Sequence, residues 1–128
     1  MTSVRTRRVA EHVEDPEGTE GLVVLVDRLW PRGVRKEDLP HDLWPKDVAP
    51  SPDLRRWFHA VDGEERAARF PELAERYTDE LAVGEQHEAL RQLARKARRV
   101  DVVTLLFAAR DTEHNHAEVL ARALRRML

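Results

Sequence analysis

The sequence predicts an α/β protein: a three-layer α/β/α sandwich built around a small, mainly parallel sheet. Residues 22–26 and 100–108 are largely apolar runs of strand length, rich in Val and Leu, which is typical of strands buried on both faces of a sheet. Amphipathic helical patterns separate and follow these runs, and strands that alternate with helices form parallel sheets through right-handed crossovers. A length of 128 residues predicts a single domain over residues 1–128.

The strands are bounded by loops rich in Pro and Gly. Residues 5–9 are a candidate first strand, and residues 10–21 are an acidic loop that contains Pro16, Gly18 and Gly21. The sequence Trp-Pro-Arg-Gly at residues 30–33 ends the strand at 22–26. Residues 34–50 contain three prolines, which predicts irregular structure, with Leu43 and Trp44 as a candidate short strand. This segment is either a lid over a site or only a long loop.

Four helical segments are predicted from their start and stop signals. Ser51 and Pro52 begin one helix, with Ser as the N-cap and Pro at the first helical position. Residues 63–81 form the next helix, which Pro71 should kink or split, and Gly84 is placed like a C-cap. Residues 85–99 follow as an amphipathic helix. The last helix runs nearly to the final residue, capped by Asp111 or Thr112.

Composition excludes several classes of function. The chain has no Cys, which rules out disulfides, thiolate metal sites and cysteine nucleophiles. No apolar run approaches the roughly 20 residues of a membrane helix, and the N-terminal residues lack the apolar core of a signal peptide. We therefore predict a cytoplasmic protein without a membrane partner. A net charge of −2 does not favour a nucleic-acid partner.

Ionisable residues are concentrated directly after the two apolar strands. Ligands of open α/β sheets bind at the carboxyl ends of the strands. The first such segment is residues 27–33, and the second is residues 109–116. Both follow apolar runs, so they predict a polar site at this edge of the sheet.

The first segment offers anion-binding side chains. The guanidinium groups of Arg28 and Arg32 present forked donors that suit a phosphate or carboxylate. Trp30 either stacks on a base or covers the core. The structural alternative is a salt bridge between Asp27 and an arginine that closes the edge of the sheet.

The second segment offers an acid and two histidines. Arg110 lies where a strand ends and a helix begins, which is a natural anion site, although a plain N-cap at Asp111 or Thr112 is the favoured explanation of this position. His114 and His116 are candidates for general acid–base catalysis, with Asp27 or Asp111 orienting the base. Residues two apart on a helix do not share a face, so no metal site is predicted from these histidines. The sequence does not show whether a cofactor or metal is used.

Candidates outside the strand ends are fewer. Arg55 lies near the start of its helix and can reach a ligand there, and His59 faces either the site or solvent. The basic run at residues 91–99 is typical of a solvated helix face, with a nucleic-acid patch as the alternative.

Several motifs together resemble one family. They include the sequence Val-Asp-Arg-Leu-Trp-Pro-Arg-Gly at residues 26–33, Leu-Arg-Arg-Trp-Phe at 54–58, and Glu-His-Asn-His-Ala at 113–117. In this combination they resemble the YeaO-like family, a domain-of-unknown-function group (number 488), from about residue 5 to residue 124. The resemblance implies a small cytoplasmic α/β protein and no established activity. Two departures are Arg110, where Lys is expected more often, and Pro71, where a continuous helix is expected.

Three functional interpretations stay open at this point. The first is a hydrolase or lyase that acts on an anionic small molecule, such as a nucleotide or a phosphorylated metabolite. The second is a non-catalytic module that binds a nucleotide or a nucleic-acid end by charge and stacking. The third is a buried network of ion pairs that only stabilises the fold. The sequence does not indicate the oligomeric state.

Overall fold

The computed structural model describes all 128 residues, which form three strands and five α-helices. The strands are β1 (Ser3–Arg8), β2 (Leu22–Leu25) and β3 (Val102–Phe107). The helices are α1 (Val9–Glu14), α2 (Pro52–His59), α3 (Gly63–Leu81), α4 (Gly84–Ala97) and α5 (His116–Met127). Single 3-10 turns lie at Pro16–Gly18, Lys36–Asp38 and Lys46–Val48. None of the helices combines the length and apolarity needed to cross a membrane.

The sheet is parallel throughout, as the sequence predicts. β3 is the central strand, and β1 and β2 pair with it on either side. The predicted short strand is a single parallel bridge between Leu43 and Val24. Gly21 lets β2 approach β3 closely, because its φ is +73° and a Cβ there would lie 2.0 Å from the carbonyl oxygen of Val102. Because all three strands run parallel, their carboxyl ends lie at the same edge of the sheet.

The two faces of the sheet are covered unequally. Alternate residues of β3 point to opposite faces, so Leu105 joins the large core formed with α2–α5, whereas Leu106 joins a smaller one. The smaller core contains Val9, Leu25 and Leu39. Few apolar side chains point to this face, so the six residues of α1 and the irregular segment at 30–44 suffice to cover it. The α/β class is thus confirmed, with one outer layer much thinner than the other.

The predicted helix starts are confirmed in part. Ser51 caps α2, and its Oγ accepts a hydrogen bond from the Leu54 N–H at 3.3 Å. α3 is one continuous helix, so Pro71 does not split it. Proline removes a single N–H from the helix, and the buried side chains of Leu73 and Tyr77 hold the following turns against the core.

Two predicted helix ends are wrong. α5 begins at His116 and is capped by Asn115, whose Oδ1 accepts a hydrogen bond from the Glu118 N–H at 3.2 Å. Asp111 does not cap this helix, because its carboxylate binds the N–H groups of a separate turn. Gly84 is the first residue of α4, with a φ of +64°, and does not cap α3, which ends at Leu81 and has Ala82 as its C-cap.

Candidate functional site

A cleft of about 510 Å³, here called the first cleft, opens at the carboxyl edge of the sheet. Its walls come from the end of β2, from α2, from the start of α3 and from the loop between β3 and α5. The polar lining consists of Asp27, Arg28, Arg55, His59, Arg66, Arg110, Asp111, His114 and His116. The apolar lining includes Leu29, Pro50, Phe58, Leu73, Ala108 and Ala109.

Asp27 and His116 form a half-buried pair that joins the end of β2 to the start of α5. The Oδ2 atom of Asp27 accepts a hydrogen bond from the Ala108 N–H at 2.9 Å. His116 Nε2 lies 3.1 Å from the Val26 carbonyl oxygen and 3.2 Å from Asp27 Oδ1. The Nε2–H group of His116 points at the Val26 carbonyl oxygen, so Asp27 Oδ1 accepts no hydrogen bond. Both neighbours of Nε2 are acceptors, which places the proton on that nitrogen.

The partners of Asp27 decide one of the alternatives left open by the sequence. The side chain beside its carboxylate is that of His116, and no arginine lies within ion-pair distance. The alternative of a salt bridge between Asp27 and an arginine is therefore wrong. The backbone of Asp27 is also held, because its carbonyl oxygen accepts a hydrogen bond from Trp44 Nε1 at 2.7 Å.

Asp111 and His114 form a second, local pair in the loop between β3 and α5. Asp111 Oδ1 accepts hydrogen bonds from the N–H groups of Glu113 and His114 at 2.9 and 3.0 Å. Its Oδ2 lies 2.9 Å from His114 Nδ1. Desolvation acts to raise the pKa of Asp111, but the hydrogen bonds from Glu113 and His114 outweigh it and hold the pKa below its usual value. Asp111 thus holds residues 111–114 in a turn.

His59 lies in the cleft among positive charges. Burial, followed by the guanidinium groups of Arg66 and Arg55, lowers the pKa of His59 to about 4. His59 is therefore neutral at pH 7. His59 follows Arg55 by one helical turn, and this spacing in the sequence predicts that the two side chains lie on the same side of α2.

The four arginines of the cleft differ in how they are held. Arg28 donates to the carbonyl oxygens of Ala49 and Pro50 at 3.2 and 3.3 Å. Arg66 donates to the carbonyl oxygen of Val61 at 2.9 Å and to Asp62 at 3.2 Å. Arg55 and Arg110, in contrast, have no hydrogen-bond or ion-pair partner in the protein and are exposed. Arg66 was missed by sequence reasoning, because no motif marks it.

Two residues of the predicted site lie outside the first cleft. Trp30 packs against the smaller core, donates from Nε1 to the Val34 carbonyl oxygen at 2.6 Å, and meets the Trp44 ring edge-on at 5.4 Å. Arg32 is exposed and does not line the cleft. The chain passes to the thinly covered face of the sheet after Leu29, so it carries both residues away from the site.

Residues 43–50, here called the partition, border the first cleft through Ala49 and Pro50. The buried hydroxyl of Tyr77 donates to the Val48 carbonyl oxygen, and Gln86 Nε2 donates to that of Ala49 at 3.0 Å. Burial, reinforced by the Glu80 carboxylate, raises the pKa of Tyr77 well above its usual value, so the hydroxyl keeps its proton. The side chains of Arg28, of Tyr77 on α3 and of Gln86 on α4 therefore anchor the partition, which is a fixed segment beside the cleft.

The histidines and carboxylates of the cleft are not arranged as a metal centre. No group of three or more His, Asp or Glu side chains is placed to hold a metal ion. His114 and His116 face different carboxylates, as described above. The groups suited to a ligand are the guanidinium groups, which match phosphate and carboxylate oxygens.

The fold and the site define a class of small α/β proteins with an arginine-lined cleft at the carboxyl edge of a parallel sheet. A family model described as "Inactive DUF488-N3 subclade" matches residues 3–128. The protein YeaO of Escherichia coli is 44% identical over 117 residues, which cover 90% of this chain and 94% of YeaO. The chain belongs to the YeaO-like group of the DUF488 family, as its motifs indicate.

Further relatives come from mycobacteria. Uncharacterized proteins of Mycobacterium tuberculosis and Mycobacterium bovis are each 43% identical over 123 residues, which cover 96% of this chain and 94% of each relative. No solved structure matches the chain.

Proposed function

We propose that this protein is a cytoplasmic binding module for an anionic small molecule, a nucleotide or another phosphorylated metabolite, held in the first cleft. The observation that carries the proposal is the pair of unpartnered guanidinium groups, Arg55 on α2 and Arg110 after β3, in one cleft. An unpaired arginine beside a cleft is ready to bind an anion without breaking an existing ion pair.

The charge of the lining supports an anionic ligand. Four arginines line the cleft against the carboxylates of Asp27 and Asp111. Each of these two carboxylates already has a histidine and a backbone N–H as neighbours. Burial contributes most to the low pKa of His59, and the guanidinium groups of Arg66 and Arg55 lower it further, which agrees with an excess of positive charge on this side of the cleft.

The shape of the cleft supports a small ligand with an apolar part. A volume of about 510 Å³ lies within the range of about 300–1,000 Å³ that small-molecule sites occupy. Phe58, Leu73 and the Ala108–Ala109 segment provide an apolar surface beside the arginines. A ring or sugar fits against these side chains while its phosphate group meets Arg55 and Arg110.

Two observations favour binding without turnover. The lining contains no Ser, Thr, Cys or Lys, so the usual hydroxyl, thiol and amine nucleophiles are missing from it. The family model that matches the chain is described as an inactive subclade. We therefore propose binding alone as the primary function of the site.

The test is a thermal-shift and calorimetric screen of nucleotides, phosphorylated sugars and small carboxylates. A ligand at a hundredfold excess over its Kd stabilises the folded state by about 2.7 kcal/mol. We expect Arg55→Gln and Arg110→Gln each to weaken the binding of a hit about tenfold or more, because each removes a charge-assisted hydrogen bond.

Arg56→Gln is the matched control for these variants. Arg56 follows Arg55 directly but pairs with Asp53 and does not line the cleft, so its loss should leave affinity unchanged. A panel without any hit, or a hit that survives both cleft variants, would contradict the proposal.

The second candidate function is a hydrolase or lyase acting on the same class of ligand. The observation in its favour is the Asp27–His116 pair, in which a proton on Nε2 leaves the lone pair on Nδ1 for use as a general base. The discriminating variant is His116→Gln. Turnover of a bound ligand that collapses in this variant while its affinity persists supports catalysis, whereas binding without turnover in both proteins supports the primary function.

A further inference from the structure

A second cleft, of about 440 Å³, lies between the partition and α4. Its walls are formed by residues 43–47 of the partition and by four residues of one side of α4. The first cleft, in contrast, meets the partition at Ala49 and Pro50. The two clefts share no lining residue, so the second is a separate concavity.

The second cleft is lined by two lysines. Only three of the 22 basic residues in the chain are lysines, and Lys46 and Lys96 both line this cleft. Both are exposed and neither forms an ion pair. Lys46 Nζ lies 4.2 Å from the centre of the Trp44 ring, so its present contact is with an aromatic face. Two ammonium groups without anionic partners thus stand at one concave surface.

The remaining lining is mostly apolar. Leu43, Trp44, Pro45 and Leu93 provide flat and aliphatic surfaces beside the lysines. The one carboxylate, that of Asp47, lies 3.9 Å from Arg28 Nη1, which offsets its charge. The cleft therefore combines positive charge with an aromatic wall.

We propose that the second cleft binds a small organic anion with a flat apolar body, an aromatic carboxylate or an aromatic phosphate. The body packs on Trp44, and the anionic group lies between Lys46 and Lys96. An exposed cation–π contact is weak, so the ammonium of Lys46 can leave the ring face and pair with the anion while the ligand takes its place. This site is independent of the function proposed for the first cleft.

The test follows the indole N–H signals of the three tryptophans by ¹H–¹⁵N NMR, with the Trp44 signal assigned through Trp44→Phe. The probe is phenyl phosphate, and inorganic phosphate and phenol separate the contributions of charge and ring. We expect phenyl phosphate to shift the Trp44 signal saturably, with a lower apparent Kd than either comparison compound. Lys46→Gln and Lys96→Gln should each weaken that binding about fivefold.

Two controls keep the result specific to this cleft. Lys36→Gln removes the remaining lysine, which is exposed and lies outside both clefts, and should leave the titration unchanged. Arg55→Gln weakens binding in the first cleft only, so it too should leave the Trp44 titration unchanged.

The contrary outcomes are equally distinct. No saturable shift, or a shift that both lysine variants retain, would overturn the proposal. A shift lost in Arg55→Gln would overturn it as well, because Trp44 would then be responding through its hydrogen bond to Asp27. Equal affinity for inorganic phosphate would show that the apolar wall contributes nothing and would overturn the assignment of a flat ligand.

Discussion

The two histidine–aspartate pairs of the first cleft are built differently. Asp27 and His116 come from distant parts of the sequence, and each side chain is only 16% exposed. Asp111 and His114 are three residues apart, and their side chains are 45% and 37% exposed. The first pair connects the sheet to α5, whereas the second closes a turn within one loop. Identical residue types thus have different structural consequences, and burial and chain connectivity decide which.

The largest difference between the pairs should appear in stability. Asp27→Ala leaves the half-buried His116 and the Ala108 N–H without their carboxylate partner, so we expect it to lower the free energy of unfolding by about 2 kcal/mol. Asp111→Ala removes an exposed pair and should cost no more than about 1 kcal/mol. Urea denaturation of both variants measures the two values. Equal losses would mean that burial does not distinguish the pairs.

His59 sharpens the comparison, because it is a histidine of the same cleft without a carboxylate partner. We expect its ring to titrate at a pKa of about 4 in the free protein, against an ordinary value of 6.5. Between those values the unfolded chain binds a proton that the folded protein does not, so stability should fall as the pH falls from 6.5 to about 4.

The measurement is an NMR titration of the His59 ring, with urea unfolding of His59→Gln at pH 7 and pH 5. The variant should lose less stability than the parent protein between these two pH values. Inorganic phosphate bound in the first cleft should raise the pKa of His59, because it offsets Arg55 and Arg66. A ring that titrates near 6.5 without phosphate would contradict both the burial of His59 and the positive charge placed around it by Arg66 and Arg55.

The smallest expected effect concerns tautomers. His116 carries its proton on Nε2, which donates to Val26, whereas His114 carries it on Nδ1, which faces Asp111. Long-range ¹H–¹⁵N spectra of the neutral rings should therefore show opposite tautomers. Asp111→Asn should release the preference of His114 and leave that of His116 unchanged. The same tautomer at both rings would remove the distinction between the pairs.

Much of the fold could be predicted from local signals. The apolar runs that contain Val24 and Leu105 mark buried strands, and the Ser51–Pro52 pair marks the start of α2. The start of α5 was predicted wrongly because Asp111 and Asn115 are both residues that cap helices. The Asp111 carboxylate accepts its hydrogen bonds from the turn at residues 111–114. α5 begins only at His116, whose ring contacts the Val26 carbonyl group. That choice depends on a contact between distant segments.

The site was predicted best where the strand itself places the side chains. Asp27 and Arg110 directly follow β2 and β3, and both line the first cleft. Trp30 is close in sequence to Asp27 but lies outside the first cleft, because a concentration of charged residues does not show which way the chain turns after a strand. Arg66 lies at the start of α3 and reaches the cleft only because α2 and α3 pack together. Sequence periodicity does not show which helix faces this edge.

The partition contains no α-helix or extended strand, yet three successive carbonyl groups, those of Val48, Ala49 and Pro50, accept hydrogen bonds from side chains of other elements. Segments tied in this way have little conformational freedom left to lose when a ligand arrives. Preorganised walls reduce the entropic cost of association. We therefore expect a ligand of the first cleft to bind by simple bimolecular kinetics, without a slow closing step.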